Sequence, residues 1–313
     1  MKRYLYLIKK DKLYGYINSK GEIEITPMYK DAMEFSDGLA KVTTVEGESY
    51  FIDEDNNPFI KPDVDWYLKF ENGYAEIKKD GKYGFIDKKG QLVIETRFDR
   101  VWRGFNKEGF AIVRQDNKDG IIDKNGDFLI KPTFLAINEF SEGVMSAKNQ
   151  DGKYGFIDIN GNTVIDFKFE YVGKFSEGLS SFKDGGKEGF INKLGEVVIK
   201  PRYSYVLDFH NGLAAYLSKD INKMGYINQQ DEIVIKSKYD VLNNFNEGIA
   251  VFCNDDSYGY IDIYGNEILK NVFLSADDFK NGLGLVATKE PMEWGYVNKK
   301  GEWVYKPKNF SLW

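Results

Sequence analysis

The chain has 313 residues, with 43 basic and 49 acidic side chains and a formal charge of −6. Hydrophobic residues make up 42%, enough for a folded core, and the acidic balance argues against broad binding to nucleic acid or anionic membrane, which requires a basic surface. One cysteine and one histidine exclude an internal disulfide framework, a thiolate zinc cluster and a histidine-rich metal site; no cofactor is expected.

At the N-terminus, the apolar run Tyr4-Leu5-Tyr6-Leu7-Ile8 lies between charged residues. It is shorter than the ~7–15 apolar residues of a secretory signal, and no stretch approaches the ~18–20 of a membrane span. The expectation is a cytoplasmic protein with no membrane partner.

Next comes Tyr14-Gly15-Tyr16-Ile17-Asn18, and this string returns along the whole chain, as Tyr83-Gly84-Phe85-Ile86-Asp87, Tyr154-Gly155-Phe156-Ile157-Asp158 and Trp294-Gly295-Tyr296-Val297-Asn298. Its second position falls at 15, 50, 84, 120, 155, 189, 225, 259 and 295, a period of 34 to 36 residues, with Tyr50 in place of one glycine. A second marker keeps step: Phe35-Ser36-Asp37-Gly38-Leu39-Ala40 recurs as Phe175-Ser176-Glu177-Gly178-Leu179 and Phe245-Asn246-Glu247-Gly248-Ile249-Ala250. Between them lies Ile-x-Pro-x-aromatic, as in Ile199-Lys200-Pro201-Arg202-Tyr203. Such a period marks a tandem array, so length alone, which suggests about two domains of ~150 residues, misleads.

Each repeat predicts short antiparallel strands. Leu39-Ala40-Lys41-Val42 and its copies alternate apolar and polar residues, as half-buried strands do. A turn such as Lys79-Asp80-Gly81-Lys82 leads to the strand Tyr83–Ile86, and Asp87-Lys88-Lys89-Gly90 fits a type I turn closing on a left-handed residue. A further strand, Gln91–Ile94, leads to the proline position, where the missing N–H is expected to end ladder pairing. The stretch from Tyr239 to Phe245 has room for a short fourth strand. The fold class is all-β.

The order Trp-Gly-aromatic-Ile-Asp, then Ile-x-Pro-x-Tyr, then Phe-Ser-Glu-Gly-Leu-Ala resembles the bacterial WG, or KWG, repeat over essentially the whole chain. The signature tryptophan survives only at Trp294; Tyr14, Tyr83, Tyr154 and Tyr258 replace it elsewhere, and Ser49, Asp119, Glu188 and Met224 depart further. The resemblance implies a β-repeat binding module and does not imply an enzyme. Nine copies exceed the usual 4–8 blades of a propeller. Residues 1–313 are therefore expected to form one open superhelical array of three- to four-stranded meanders, a closed propeller-like ring being the alternative. Residues 283–313, with Trp294, Trp303 and Trp313, read as a terminal capping repeat.

The recurrent Asp or Asn at 18, 53, 87, 123, 158, 192, 228, 262 and 298 reads as a turn residue whose side chain bonds backbone amides, and the Asp, Glu or Asn before each second-marker glycine reads likewise. His210 and Cys253 sit in different repeat phases, so a thiol–imidazole couple is not expected. The strand aromatics read as core rather than as ligand cages.

Departures from the repeat carry more information. From the aromatic position after Ile-x-Pro-x, filled by Val64 in one copy, to the second-marker glycine is nine residues in seven copies and eleven between Phe98 and Gly109. Four of the six arginines, Arg97, Arg100, Arg103 and Arg114, lie here beside Trp102, and the preceding copy is irregular around Trp66 and Tyr67. Tryptophan and arginine are enriched at interface hot spots. The sequence therefore points to a non-enzymatic scaffold binding a macromolecular partner, most simply another protein with an acidic surface. A small-ligand or glycan binder using aromatic faces between repeats is the alternative.

Overall fold

The computed structural model describes residues 3–61, 64, 66–218, 220–290 and 292–306, with backbone only for Trp66. The strands form nine antiparallel sheets in chain order: sheet 1 spans 6–29 with three strands, and four-stranded sheets 2 to 9 span 31–60, 66–98, 100–134, 136–169, 171–203, 205–239, 241–273 and 275–305. Sheet 6 shows the plan, with strands Tyr171–Val172, Leu179–Asp184, Lys187–Asn192 and Val197–Tyr203. The fold is all-β. The chain adopts the propeller-like alternative rather than the open superhelical array. Repeat number misled, and the ~35-residue unit suffices because several first strands, such as Tyr171–Val172 and Val241–Leu242, have two residues.

The turns follow the sequence. Gly90 takes φ +77° and its N–H donates to the Asp87 carbonyl at 2.9 Å. Asp80 and Gly81 are both left-handed, as a two-residue hairpin loop requires.

The marker glycine has a steric cause. A Cβ on Gly15 would stand 2.5 Å from the Ile25 carbonyl oxygen and 2.6 Å from the Pro27 nitrogen. The last strand of sheet 1, Ile23–Tyr29, bulges into that space, shifting the register between Tyr14↔Tyr29 and Tyr16↔Ile25. Pairing therefore does not end at the proline as expected. Pro27 sits on the bulge, and the ladder resumes at Tyr29. In sheet 2, Tyr50 replaces the glycine and the fourth strand stops at Ile60.

Contacts divide the chain into two units, residues 1–137 with 159–161, and residues 138–158 with 162–313. Within each, consecutive sheets are joined by ring pairs about one half-repeat apart. In the first unit Tyr16 meets Phe35 at 4.7 Å and Phe51 meets Phe70 at 4.8 Å. In the second, Phe190 meets Phe209 at 4.7 Å and Tyr260 meets Phe279 at 4.9 Å. These rings are almost fully buried except Phe35, so the aromatic repeat builds the core.

Candidate functional site

The two residues added between Phe98 and Gly109 lengthen the first strand of sheet 4 to Arg100–Arg103. Its pairing with Phe110–Gln115 slips between Val101 and Arg103, which makes Trp102 the bulged residue. Trp102 is 39% exposed, and the Arg100 guanidinium lies over its ring at 4.1 Å and that of Arg114 at 4.9 Å.

Beneath this stack lies Asp119, 1% exposed, at the position of the signature tryptophan. Its Oδ1 accepts from Trp102 Nε1 at 2.8 Å and from Arg114 Nε at 2.6 Å, while Oδ2 accepts the Ile137 N–H at 3.1 Å. A buried carboxylate needs such partners. Glu188 takes the same position in sheet 6 and accepts the equivalent amide, Val206 N–H, at 2.8 Å, and burial pushes its carboxyl up.

Arg97 donates to the Gly126 carbonyl and stacks at 5.0 Å on Phe98, so it holds neighbouring strands together. Arg103 is exposed. Tyr67 is 6% exposed within the core cluster of Phe51, Phe70 and Ile77, with Lys41 Nζ 4.2 Å from its ring centre. The Trp66 side chain lies outside the described residues, though its backbone pairs with Lys78. The structure thus brings Arg100, Trp102 and Arg114 together and places Arg97 and Tyr67 in packing roles. Sequence reasoning missed Asp119 as the hub, although an acid at an aromatic position was its signal. It also missed Glu76, a charge inside the alternating strand Tyr74–Lys79; burial pushes its carboxyl up to about 7 against the opposing pull of Arg100.

A family model described as "WG containing repeat" matches residues 14–44, 51–83, 83–118, 120–154, 154–187, 189–219, 224–257 and 294–308. The chain belongs to the WG-repeat family. No curated protein matches it. Among solved structures it is similar to one described as the eukaryotic initiation factor, at 11% identity and TM-score 0.68, covering 97% of this chain and 95% of that one. It is also similar to the computationally designed Ika8 protein, at 15% identity and TM-score 0.52, covering 84% of this chain and 94% of the other. At these identities the likeness is one of fold.

The remaining WG-repeat residues separate cleanly. The recurrent Asx side chain is a turn device: Asp87 Oδ1 accepts the N–H groups of Lys89 and Gln91 at 2.8 and 2.9 Å, and Asn228 Oδ1 those of Gln230 and Glu232 at 3.0 and 2.9 Å. The acid of the second marker does more than shape its own turn. Glu177 accepts the Gly212 N–H of the next repeat at 2.8 Å, Glu247 that of Gly282 at 3.0 Å, and Asp37 that of Gly73 at 2.6 Å. A lysine from a later turn closes two of these staples, Lys299 on Glu247 at 2.9 Å and Lys88 on Asp37 at 3.2 Å. His210 occupies a half-exposed turn, bridged to Leu213. Cys253 is buried, and burial with nearby Asp240 and Asp256 pushes its thiol up, the reverse of an activated nucleophile.

Proposed function

We propose that the chain is a non-enzymatic binding protein of the cytoplasm that engages a macromolecular partner, a protein, through its repeat surface. The anchor is the bulged strand Arg100–Arg103 with Arg114 beneath it. The carrying observation is the Arg100–Trp102–Arg114 stack, a half-exposed indole fixed between strands by a buried acid. Preorganised aromatic and guanidinium groups lose little freedom on binding. The alternative ligand-cage reading is weakened because the recurrent rings pack against each other in the core. The raised thiol of Cys253 argues against a nucleophilic role for that residue.

Arg100→Ala/Arg103→Ala is the appropriate test, because Trp102 and Arg114 also hold Asp119. Tagged wild-type protein is used to capture and identify a partner, and affinities are then measured with purified components. The double variant should bind at least ~1–2 kcal/mol more weakly with an unchanged melting temperature. Equal affinity of both proteins would remove the anchor.

A further inference from the structure

We infer that the first unit receives an acidic, extended segment of its protein partner along the edge that carries Lys9, Lys78 and Arg100. This rests on the protein-partner reading above and names the chemistry of the contact.

The edge is defined by strand register. In sheet 4, Arg100 stands opposite Arg114, which stands opposite Asp119. The same register in sheet 3 holds Trp66, Lys78 and Tyr83; in sheet 2, Asp31, Thr43 and Ser49; in sheet 1, Lys9 and Tyr14. Besides Arg114, which is paired with Asp119, three cations in this row lie over rings: Lys9 at 4.7 Å from Tyr14, Lys78 at 5.1 Å from Tyr83, and Arg100 at 4.1 Å from Trp102. Lys9 and Arg100 are exposed and Lys78 half-buried.

Several cations of the first unit are neutralised and these three are not. Arg3 pairs with Glu24 and Asp55, Lys69 with Glu71, Lys82 with Asp99, Lys88 with Asp37, and Arg114 with Asp119. Among the described residues, neither Lys9, Lys78 nor Arg100 forms an ion pair. Acids in or beside the row include Asp31 in sheet 2, Asp119 in sheet 4, and Glu71 and Glu76 near Arg100; Asp119 is engaged by Arg114 and Glu71 by Lys69, and burial raises Glu76. A cation resting on a ring keeps its charge and has already lost much of its freedom, so an incoming carboxylate meets a preorganised partner. The row fades along the repeat: in the second unit the same register holds Lys148 over Tyr154 at 5.4 Å and Lys183 opposite Tyr171, but then Tyr205 with Leu217, Val241 with Cys253, and Ser275 with Ala287.

Spacing gives the segment a pattern. Packed sheets stand ~10 Å apart and an extended chain advances ~3.3 Å per residue, so one sheet corresponds to about three residues. Sheets 1, 3 and 4 then call for carboxylates roughly at i, i+6 and i+9.

The test is fluorescence anisotropy with a labelled Gly/Ser peptide of about 14 residues carrying Asp at those spacings. Comparison probes are an all-neutral peptide, one with the acids bunched at one end, and a single-stranded oligonucleotide of equal length. The spaced peptide should bind about tenfold more tightly than the neutral one, weakening as salt rises. Lys9→Gln/Lys78→Gln/Arg100→Gln should remove most of that gain, whereas Lys168→Gln/Lys238→Gln, which alters lysines stacked on Phe169 and Tyr239, should not.

Equal binding of spaced and neutral peptides, equal loss in both variants, no loss in the triple variant, or no preference over the bunched peptide overturns the inference. Tighter binding of the oligonucleotide replaces it with a nucleic-acid contact. A captured protein that holds the triple variant as firmly as wild type refutes the acidic segment alone. Failure of Arg100→Ala/Arg103→Ala to weaken any captured protein refutes the anchor instead.

Discussion

Tyr239 carries a buried hydroxyl with no hydrogen-bond partner among the described residues, and replacing it by phenylalanine should stabilise the protein. The reasoning comes from its counterparts. Tyr29 donates to Asn56 Oδ1 at 2.5 Å and Tyr203 to Asp231 Oδ1 at 2.7 Å, each reaching the left-handed residue of the next repeat's turn. Where that residue is Gly126, Gly161, Gly195 or Gly301, the aromatic in phase is Phe98, Phe134, Phe169 or Phe273. Tyr239 faces Gly265 in this scheme, a hydroxyl without the side chain that would receive it. An unsatisfied buried hydroxyl costs ~1–3 kcal/mol, and removing one oxygen leaves the ring packing with Phe252 at 5.1 Å intact. Tyr239→Phe should therefore gain at least ~1 kcal/mol, whereas Tyr29→Phe should lose ~1 kcal/mol with its bond. Urea unfolding followed by tryptophan fluorescence and circular dichroism reads both. Gly265→Asn, tolerable at φ +81°, should couple to Tyr239 by ~1 kcal/mol in a double-mutant cycle. Loss of stability in Tyr239→Phe comparable to that in Tyr29→Phe would refute the argument.

Trp102→Ala should lower the urea midpoint by the equivalent of ~1–3 kcal/mol, because it strips a donor from the buried Asp119; Asp119→Asn should do likewise, and an unchanged midpoint in both would show the carboxylate to be dispensable. Glu76 has a folded pKa raised to about 7 by burial, above its unfolded value, so its contribution to stability is full below that unfolded value and lost as pH rises through about 7. After screening at this half-buried site the difference is on the order of 1–2 kcal/mol, and Glu76→Gln should flatten that part of the stability–pH curve. Gly155→Ala should cost ~3 kcal/mol or more, since its Cβ would stand 2.6 Å from the Ile165 carbonyl oxygen; Gly143→Ala, with open space around it at φ +94°, should cost only ~1 kcal/mol by calorimetry.

Much of the architecture was legible because the repeat reports steric demands many times over. The Tyr14–Asn18 string names a strand and a turn at once, and each was found where the spacing puts it, whereas the close backbone approach at Gly15 emerged only in the fold. Pro27 was misjudged because its effect depends on Gly15, twelve residues away in the ladder partner: a bulge needs no N–H at the point where it enters the vacant Cβ space. The two extra residues before Gly109 marked the candidate site, but one sequence cannot tell an exposed indole from one bonded to a buried acid. Asp119 and Trp102 are seventeen residues apart, and only the strand pairing brings them together. The cation row was hidden similarly, since Lys9 and Tyr14 or Lys78 and Tyr83 become neighbours only through hairpin register.

The staple between repeats has a consequence for how such a chain can diversify. Glu177, Glu247 and Asp37 each receive a main-chain N–H from the following repeat, a donor that every residue except proline supplies. The receiving repeat can therefore change its side chains without surrendering that link. Half of the joint between neighbours is written in the backbone, which leaves edges such as Arg100–Arg103 free to accumulate new recognition chemistry while their neighbours stay in place.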